Sequence, residues 1–101
     1  MLPAVPIARA WCLRMKCTDE EIIVVEAMGV RYRLSSSRLA WATTNLGEQL
    51  AKGDPALMAS ARTEYLDAYN DHDKVLRDYQ STLDELDRKY KEREARKAMA
   101  S

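Results

Sequence analysis

The sequence predicts a mainly α-helical fold, in which a long C-terminal amphipathic, coiled-coil-like helix packs with a shorter helix, plus a small N-terminal β element. Three observations lead to this fold class: a helix-start signal at residues 53–55, heptad spacing of apolar residues after it, and a second apolar stripe before it. We therefore divide the chain into residues 1–53, with an N-terminal arm, the small β or mixed element and the short helix, and residues 54–101, the long helix.

The long helix is predicted to run from Asp54 to about Met99. Gly53 can adopt the left-handed conformation that ends a preceding helix, Asp54 can cap the next one, and Pro55 suits a first helical turn. Neither glycine nor proline occurs after Pro55, so no helix-breaking residue interrupts this segment.

Apolar and aromatic residues of this helix recur every seven residues in two interleaved series, which is the a and d spacing of a coiled coil. Ala68, Val75 and Thr82 widen this seam on one side. Tyr or His occupies at least half of the seam positions, which suits a mixed contact with another surface or a loose bundle better than a two-stranded coiled coil. The seam residues are Tyr65, Tyr69, His72, Leu76, Tyr79, Leu83, Leu86 and Tyr90.

The length of this helix predicts a partner. At ~1.5 Å per residue, a helix of about 45 residues is about 65 Å long, whereas a compact domain of about 100 residues is about 30–35 Å across. A short helix cannot cover such a seam, and no glycine or proline offers a bend into a hairpin. We therefore expect an oligomer or a component of a larger assembly, in which the seam residues and Trp41 contact another copy or a partner protein.

Composition argues against several other partners. The chain has 16 basic and 16 acidic side chains, so it has no net field to attract nucleic acid or an anionic membrane. No apolar run approaches the ~20 residues of a membrane span, and the N-terminus lacks the features of a secretory signal. We expect a cytoplasmic location, or one within an assembly formed there, and no membrane.

No cofactor, metal or catalytic site is predicted, and we expect that the protein is not an enzyme. Cys12 and Cys17 lie far along the chain from His72, and we interpret them as reduced thiols rather than a zinc site or a disulfide. The chain lacks a Gly-rich phosphate loop, an H-E-x-x-H sequence and a G-x-S-x-G sequence. We interpret His72 as a half-buried residue hydrogen-bonded to a tyrosine, with a pH switch as the alternative.

The N-terminal region is predicted to be extended. Pro3 and Pro6 fix φ and remove two hydrogen-bond donors, so residues 1–7 are expected to form an arm. Between Trp11 and Cys17, apolar and other residues alternate with the period of two that is typical of a half-buried strand.

Residues 18–34 allow two interpretations. Thr18 and Glu21 can form a capping box and Gly29 could end a helix, which predicts a helix over residues 19–28. The four β-branched residues at 22–25, and the alternation that follows Gly29, instead favour strands. We prefer a small antiparallel meander, with the helix as the alternative.

A second, shorter helix is predicted over residues 35–52, because three serines offer N-caps at its start. Trp41 points about 200° away from Leu39 and therefore away from the apolar stripe of this helix. It is either covered by residues 11–34 or docks on another molecule, since exposed tryptophans are enriched at interface centres. The stripe consists of Leu39, Ala42, Leu46 and Leu50.

These observations favour a non-enzymatic helical protein that acts through protein–protein assembly, as an adaptor or structural component of the kind found in small bacterial or phage assemblies. The alternative is a nucleic-acid-binding regulatory protein that uses Arg31, Arg33 and Arg38 on phosphate. Residues 24–30 resemble the first helix and turn of a helix-turn-helix, with residues 35–52 as the reading helix. That resemblance is incomplete, because Ser35 and Arg38 fall where the reading helix should be apolar.

Overall fold

The computed structural model describes the backbone of residues 5–100 and the side chains of residues 10–100. Three α-helices follow one another: α1 (Val5–Arg14), α2 (Asp19–Lys52) and α3 (Pro55–Ala100). The long helices α2 and α3 pack together, and residues 5–100 contain no strand. The mainly α fold with a long C-terminal helix is confirmed, whereas the small N-terminal β element is wrong.

The start of α3 forms as the sequence predicts. Gly53 has a left-handed φ of 77°, and its N–H donates to the carbonyl of Gln49 at 3.0 Å. The carboxylate of Asp54 accepts hydrogen bonds from the N–H groups of Ala56 at 2.9 Å and Leu57 at 3.2 Å. These bonds satisfy backbone groups that the two helix ends leave without an intrahelical partner, so this boundary needs only local sequence.

The predicted strand at residues 11–17 is instead the end of α1 and the turn after it. Lys16 has a left-handed φ of 54°. Its N–H donates to the carbonyl of Leu13 at 3.2 Å, and the N–H of Cys17 donates to the carbonyl of Cys12 at 3.1 Å, which together form a Schellman motif. The alternating pattern misled because Cys12 alone among these residues is fully buried, so no alternating face is covered.

The predicted extended arm at residues 1–7 is also corrected where the structure describes it. Residues 1–4 lie outside the described part of the chain, and α1 already begins at Val5. Pro6 is tolerated there because the N–H groups of a first helical turn have no intrahelical partner to lose.

The preferred meander at residues 18–34 is wrong, and the alternative helix is correct. The N–H of Thr18 donates to the Glu21 carboxylate at 2.8 Å, and the N–H of Glu21 donates to the Thr18 hydroxyl at 3.2 Å, so the capping box forms in both directions. β-Branched residues lower helix propensity by only a few tenths of a kcal/mol each. Burial of Val25 in the core offsets that cost.

Helix α2 then continues through both positions where a break was expected. Gly29 and Ser35 are interior, buried residues of a helix of 34 residues, so the predicted start of a separate helix at residue 35 is wrong. Ser35 does not cap a helix; its hydroxyl lies 3.1 Å from the carbonyl of Tyr32, one turn earlier in the same helix. Because α2 is this long, the premise that the chain lacks a helix able to cover much of α3 is also wrong.

The chain forms two compact units. We call them the three-helix unit, which lies within Met1–Val30 and Arg77–Ser101, and the hairpin unit, Arg31–Leu76. In the three-helix unit, Glu21 of α2 and Arg93 of α3 form an ion pair at 3.7 Å. All three helices contribute to its buried apolar core, which includes Cys12, Val25, Met28, Tyr79, Leu83 and Leu86.

The hairpin unit consists of the second part of α2, the turn at Gly53 and the first part of α3. The two helix segments are antiparallel, and Arg38 approaches Asp71 at 3.9 Å. Small side chains fill the space between them, so this unit buries little apolar area. Its fully buried apolar residues are Ala42, Ala61, Ala68 and Val75.

We expect Leu83→Ala to lower the free energy of unfolding by about 2 to 5 kcal/mol, because Leu83 is buried in the core of the three-helix unit. Leu13→Ala is the matched control: Leu13 is exposed, so the same change there should cost about 0.5 kcal/mol or less. Urea unfolding followed by circular dichroism measures both. Equal losses for the two variants would contradict the assigned core.

The capping box also predicts a pH dependence. The hydrogen bond from the Thr18 N–H, with smaller contributions from the Thr18 hydroxyl and Arg93, lowers the pKa of Glu21 below its ordinary value of 4.5, although burial opposes this. The folded state thus prefers the ionised carboxylate of Glu21. The contribution of this carboxylate to stability is present above pH 4.5 and is lost as the pH falls through the lower, folded-state pKa.

We therefore expect Glu21→Gln to destabilise the protein by about 1 kcal/mol at neutral pH. The difference from the parent chain should shrink at a pH below the folded-state pKa of Glu21. Thermal unfolding at a series of pH values from 7 down to about 2 measures it. Glu48→Gln, which changes an exposed acid elsewhere on α2, is the control. A Glu21→Gln deficit that stays constant with pH would contradict the assignment.

Candidate protein-interaction surface

The predicted seam residues differ in how far their own chain covers them. In the three-helix unit, Tyr79, Leu83 and Leu86 are buried and Tyr90 is half-buried. In the hairpin unit Tyr69 is exposed, whereas the remaining seam residues Tyr65, His72 and Leu76 are half-buried.

In the hairpin unit the buried stripe of α3 lies on the flank that was predicted only to widen the seam. Ala61, Ala68 and Val75 are fully buried there, whereas Tyr69 is 51 % exposed. Alanine lets two helix backbones approach closely, and the bulky ring of Tyr69 is therefore left at the side of the contact. The seven-residue spacing of these three small residues is a sequence signal for the buried flank.

A polar cluster interrupts this small-residue interface. The Ser35 hydroxyl lies 2.8 Å from Nδ1 of His72, and the rings of Tyr32 and His72 have centroids 5.5 Å apart. A serine hydroxyl has one proton, so if it donates to the Tyr32 carbonyl, Nδ1 of His72 must donate to the serine oxygen. The hydrogen-bond partner of His72 at this nitrogen is thus a serine rather than the expected tyrosine, and the cluster links α2 to α3.

Trp41 has no cover from an N-terminal β element, because residues 11–34 form no strand. Its side chain is 60 % exposed. Leu34, seven residues earlier on α2, is 67 % exposed. Residues seven apart on a helix differ by only about 20° around its axis, so the two side chains lie on one face. We call Leu34 and Trp41 the α2 patch; sequence analysis singled out Trp41 but missed Leu34.

A second apolar pair lies on the first part of α3. Leu66 is 56 % exposed and Tyr69 is 51 % exposed, and they lie about 60° apart around the helix axis. The ring of Tyr69 lies beside that of Tyr65, with centroids 6.3 Å apart. We call Leu66 and Tyr69 the α3 patch. Leu66 was missed because the heptad pattern places it outside the seam.

In the hairpin unit the fully buried apolar side chains are small, and several large apolar side chains are exposed. Its buried apolar residues are three alanines and one valine. Its exposed large apolar residues are more numerous: Leu34, Trp41, Leu50, Leu57, Leu66 and Tyr69.

The three arginines of the nucleic-acid hypothesis lie on α2 of the hairpin unit. Arg38 has an acidic neighbour, with 3.9 Å between its guanidinium and the carboxylate of Asp71, and both side chains are about half exposed. Arg31 lines a shallow groove beside them, and Arg33 is exposed. The helix-turn-helix interpretation is wrong, because α2 passes through Gly29 without a turn.

The two cysteines are free thiols: Cys12 lies in the last turn of α1, and Cys17 follows the turn after it. Burial, followed by a hydrogen bond with Cys17, raises the pKa of the Cys12 thiol to about 12. A thiol with this pKa is protonated near neutral pH and is a poor nucleophile. The Schellman motif explains why the two side chains are close. Its hydrogen bond from the N–H of Cys17 to the carbonyl of Cys12 brings these two residues together across the turn.

Residues 10–100 contain no group of three or more His, Cys, Asp or Glu side chains arranged to hold a metal ion. No helix within residues 5–100 is both long enough and apolar enough to cross a membrane.

No protein-family model matches the chain, and searches for similar curated proteins and similar solved structures found no match.

Proposed function

We propose that this is a non-enzymatic helical protein that acts through protein–protein assembly, and that it docks through the exposed apolar side chains of the hairpin unit. One observation carries the proposal: this unit buries alanines between its helices and exposes four of its seven leucines, its tryptophan and a tyrosine. Exposed apolar side chains that are neighbours on one helix face, as Leu34 and Trp41 are, mark interaction sites more often than singly scattered ones do.

Burial of the exposed apolar side chains of this unit by a partner protein is energetically favourable. Full burial of a leucine or similar side chain contributes about 1.5 to 3 kcal/mol, whereas alanine contributes much less. Most of the stability of a helix in a protein comes from tertiary packing of its apolar face. A partner that covers Leu34 and Trp41 would therefore supply more apolar burial than the alanines between the helices.

Only part of the seam is assigned to the interface. A side chain that is already buried in its own chain cannot contact a partner unless the chain opens, so Tyr79, Leu83 and Leu86 are assigned to the internal core. Trp41 and Tyr69 remain as interface residues, and Trp41 belongs to the residue type most enriched at the energetic centres of interfaces.

The nucleic-acid hypothesis stays a prediction that no contact of the described residues favours. Arg38 already faces the carboxylate of Asp71, which competes with phosphate for the guanidinium. The equal numbers of acidic and basic side chains provide no long-range attraction for a polyanion.

Site-specific photocrosslinking in cells that produce this protein tests the proposed function. A photoreactive phenylalanine analogue at position 41 or position 66 should give discrete covalent adducts, because both sites lie on the proposed docking surface. The matched control is position 74, since Lys74 is also exposed on α3 but lies about 80° to 140° around the axis from the α3 patch. Equal labelling at all three positions, or none at positions 41 and 66, would contradict the proposal.

A further inference from the structure

We propose that the partner is a second copy of this chain, and that the contact is head-to-tail: the α2 patch of one copy packs on the α3 patch of the next. This inference rests on the proposed function and specifies its partner. The two patches are of matching character, since each combines an aliphatic side chain with an aromatic one that is more than half exposed.

The patches lie on opposite sides of the hairpin unit. The approach of Arg38 to Asp71 marks one side, where these two residues of α2 and α3 meet. On α2, the α2 patch lies within about 40° to 60° of Arg38 around the helix axis, so it is on the same side. On α3, the α3 patch lies about 140° to 160° away from Asp71, so it is on the other side.

Charge selects which helices meet across the contact. The α2 segment of the hairpin unit has four basic residues and one acidic residue, whereas the α3 segment has four acidic and two basic residues. Two α2 segments would repel each other, and an α2 segment beside an α3 segment of another copy is complementary. The whole chain has a formal net charge of zero, so copies have no long-range repulsion to overcome.

The surface beside the α2 patch has a shape that accepts a side chain. A shallow groove there is lined by Leu34, Val75 and charged residues that include Arg38 and Asp71. Val75 is buried and supplies an apolar floor, while the charged groups form the rim. A tyrosine suits such a groove, because its ring is apolar and its hydroxyl can hydrogen-bond at the rim, so we place Tyr69 of the second copy there.

This geometry determines the symmetry of the assembly. A two-fold contact brings the same surface of both copies together and could cover only one of two patches that lie on opposite sides. A head-to-tail contact covers the α2 patch of one copy and the α3 patch of its neighbour. Each copy then retains one patch for a further neighbour, so assembly extends beyond a dimer into a ring or a filament.

Complementation between two variants tests this contact. Leu34→Ser with Trp41→Ser removes the α2 patch, and Leu66→Ser with Tyr69→Ser removes the α3 patch. All four side chains are more than half exposed, so both variants should keep the helical circular dichroism of the parent chain. Lys74→Ser, which changes an exposed residue of α3 outside both patches, is the control and should assemble like the parent chain.

Light scattering coupled to size-exclusion chromatography measures the outcome. The parent chain should have a mass well above the 11.5 kDa of one copy, and each double variant alone should elute as a monomer. An equimolar mixture of the two variants should shift to twice the monomer mass, because each pair retains one intact α2 patch and one intact α3 patch. No larger species should form, since the mutated patches cap both ends of that pair.

Three results would overturn the second-copy contact: a parent chain that is monomeric at all concentrations, a mixture that stays monomeric, or a double variant that assembles as the parent chain does. The photocrosslinks separate this failure from that of the proposed function. An adduct at position 41 with a different protein would support assembly while overturning the second copy. Absence of any adduct, together with a monomeric parent chain, would overturn both.

Discussion

The close contact between α2 and α3 through small side chains is the constraint on which the surface of the hairpin unit depends. Ala42, Ala61 and Ala68 occupy the centre of that contact. Alanines let helices approach, but they remove little apolar surface from water. The larger apolar residues of both helices are consequently at the sides of the contact, where this chain supplies no further layer. The interaction surface is thus a direct result of how the hairpin closes.

The three-helix unit shows what a third helix provides. There α1 contributes Cys12, and α3 contributes the buried side chains Tyr79 and Leu83. The buried residues of this unit are larger than the alanines of the hairpin unit, so its interior accounts for more apolar burial. For this reason the functional proposal concerns the hairpin unit, where large apolar side chains are exposed on both helices.

A polar contact gives the hairpin unit its specificity. An interface of alanines can slide by one heptad with little loss, because every alanine offers the same small surface. The pair of Ser35 and His72, joined at 2.8 Å, has its hydrogen bond in only one register. A buried polar group that loses its partner costs about 1 to 3 kcal/mol, so other registers are disfavoured. The position of both patches relative to each other depends on this register.

The sequence by itself determined the features that a few neighbouring residues control. The boundary at Gly53 and Asp54 and the capping box at Thr18 are local hydrogen-bond arrangements, and both form as their residue types predict. The long α3 helix follows for the same reason, since its propensity and heptad spacing extend over the whole segment.

Only the tertiary structure decided which competing local signal prevailed. Helix α2 passes through Gly29 and Ser35 because burial of this stretch outweighs their preference for a helix end. Which flank of the α3 heptad is buried, and whether Trp41 is covered, depend on residues far away in the sequence. A pattern within one helix gives the spacing of its apolar face, but the packing partner decides which part of that face is removed from water.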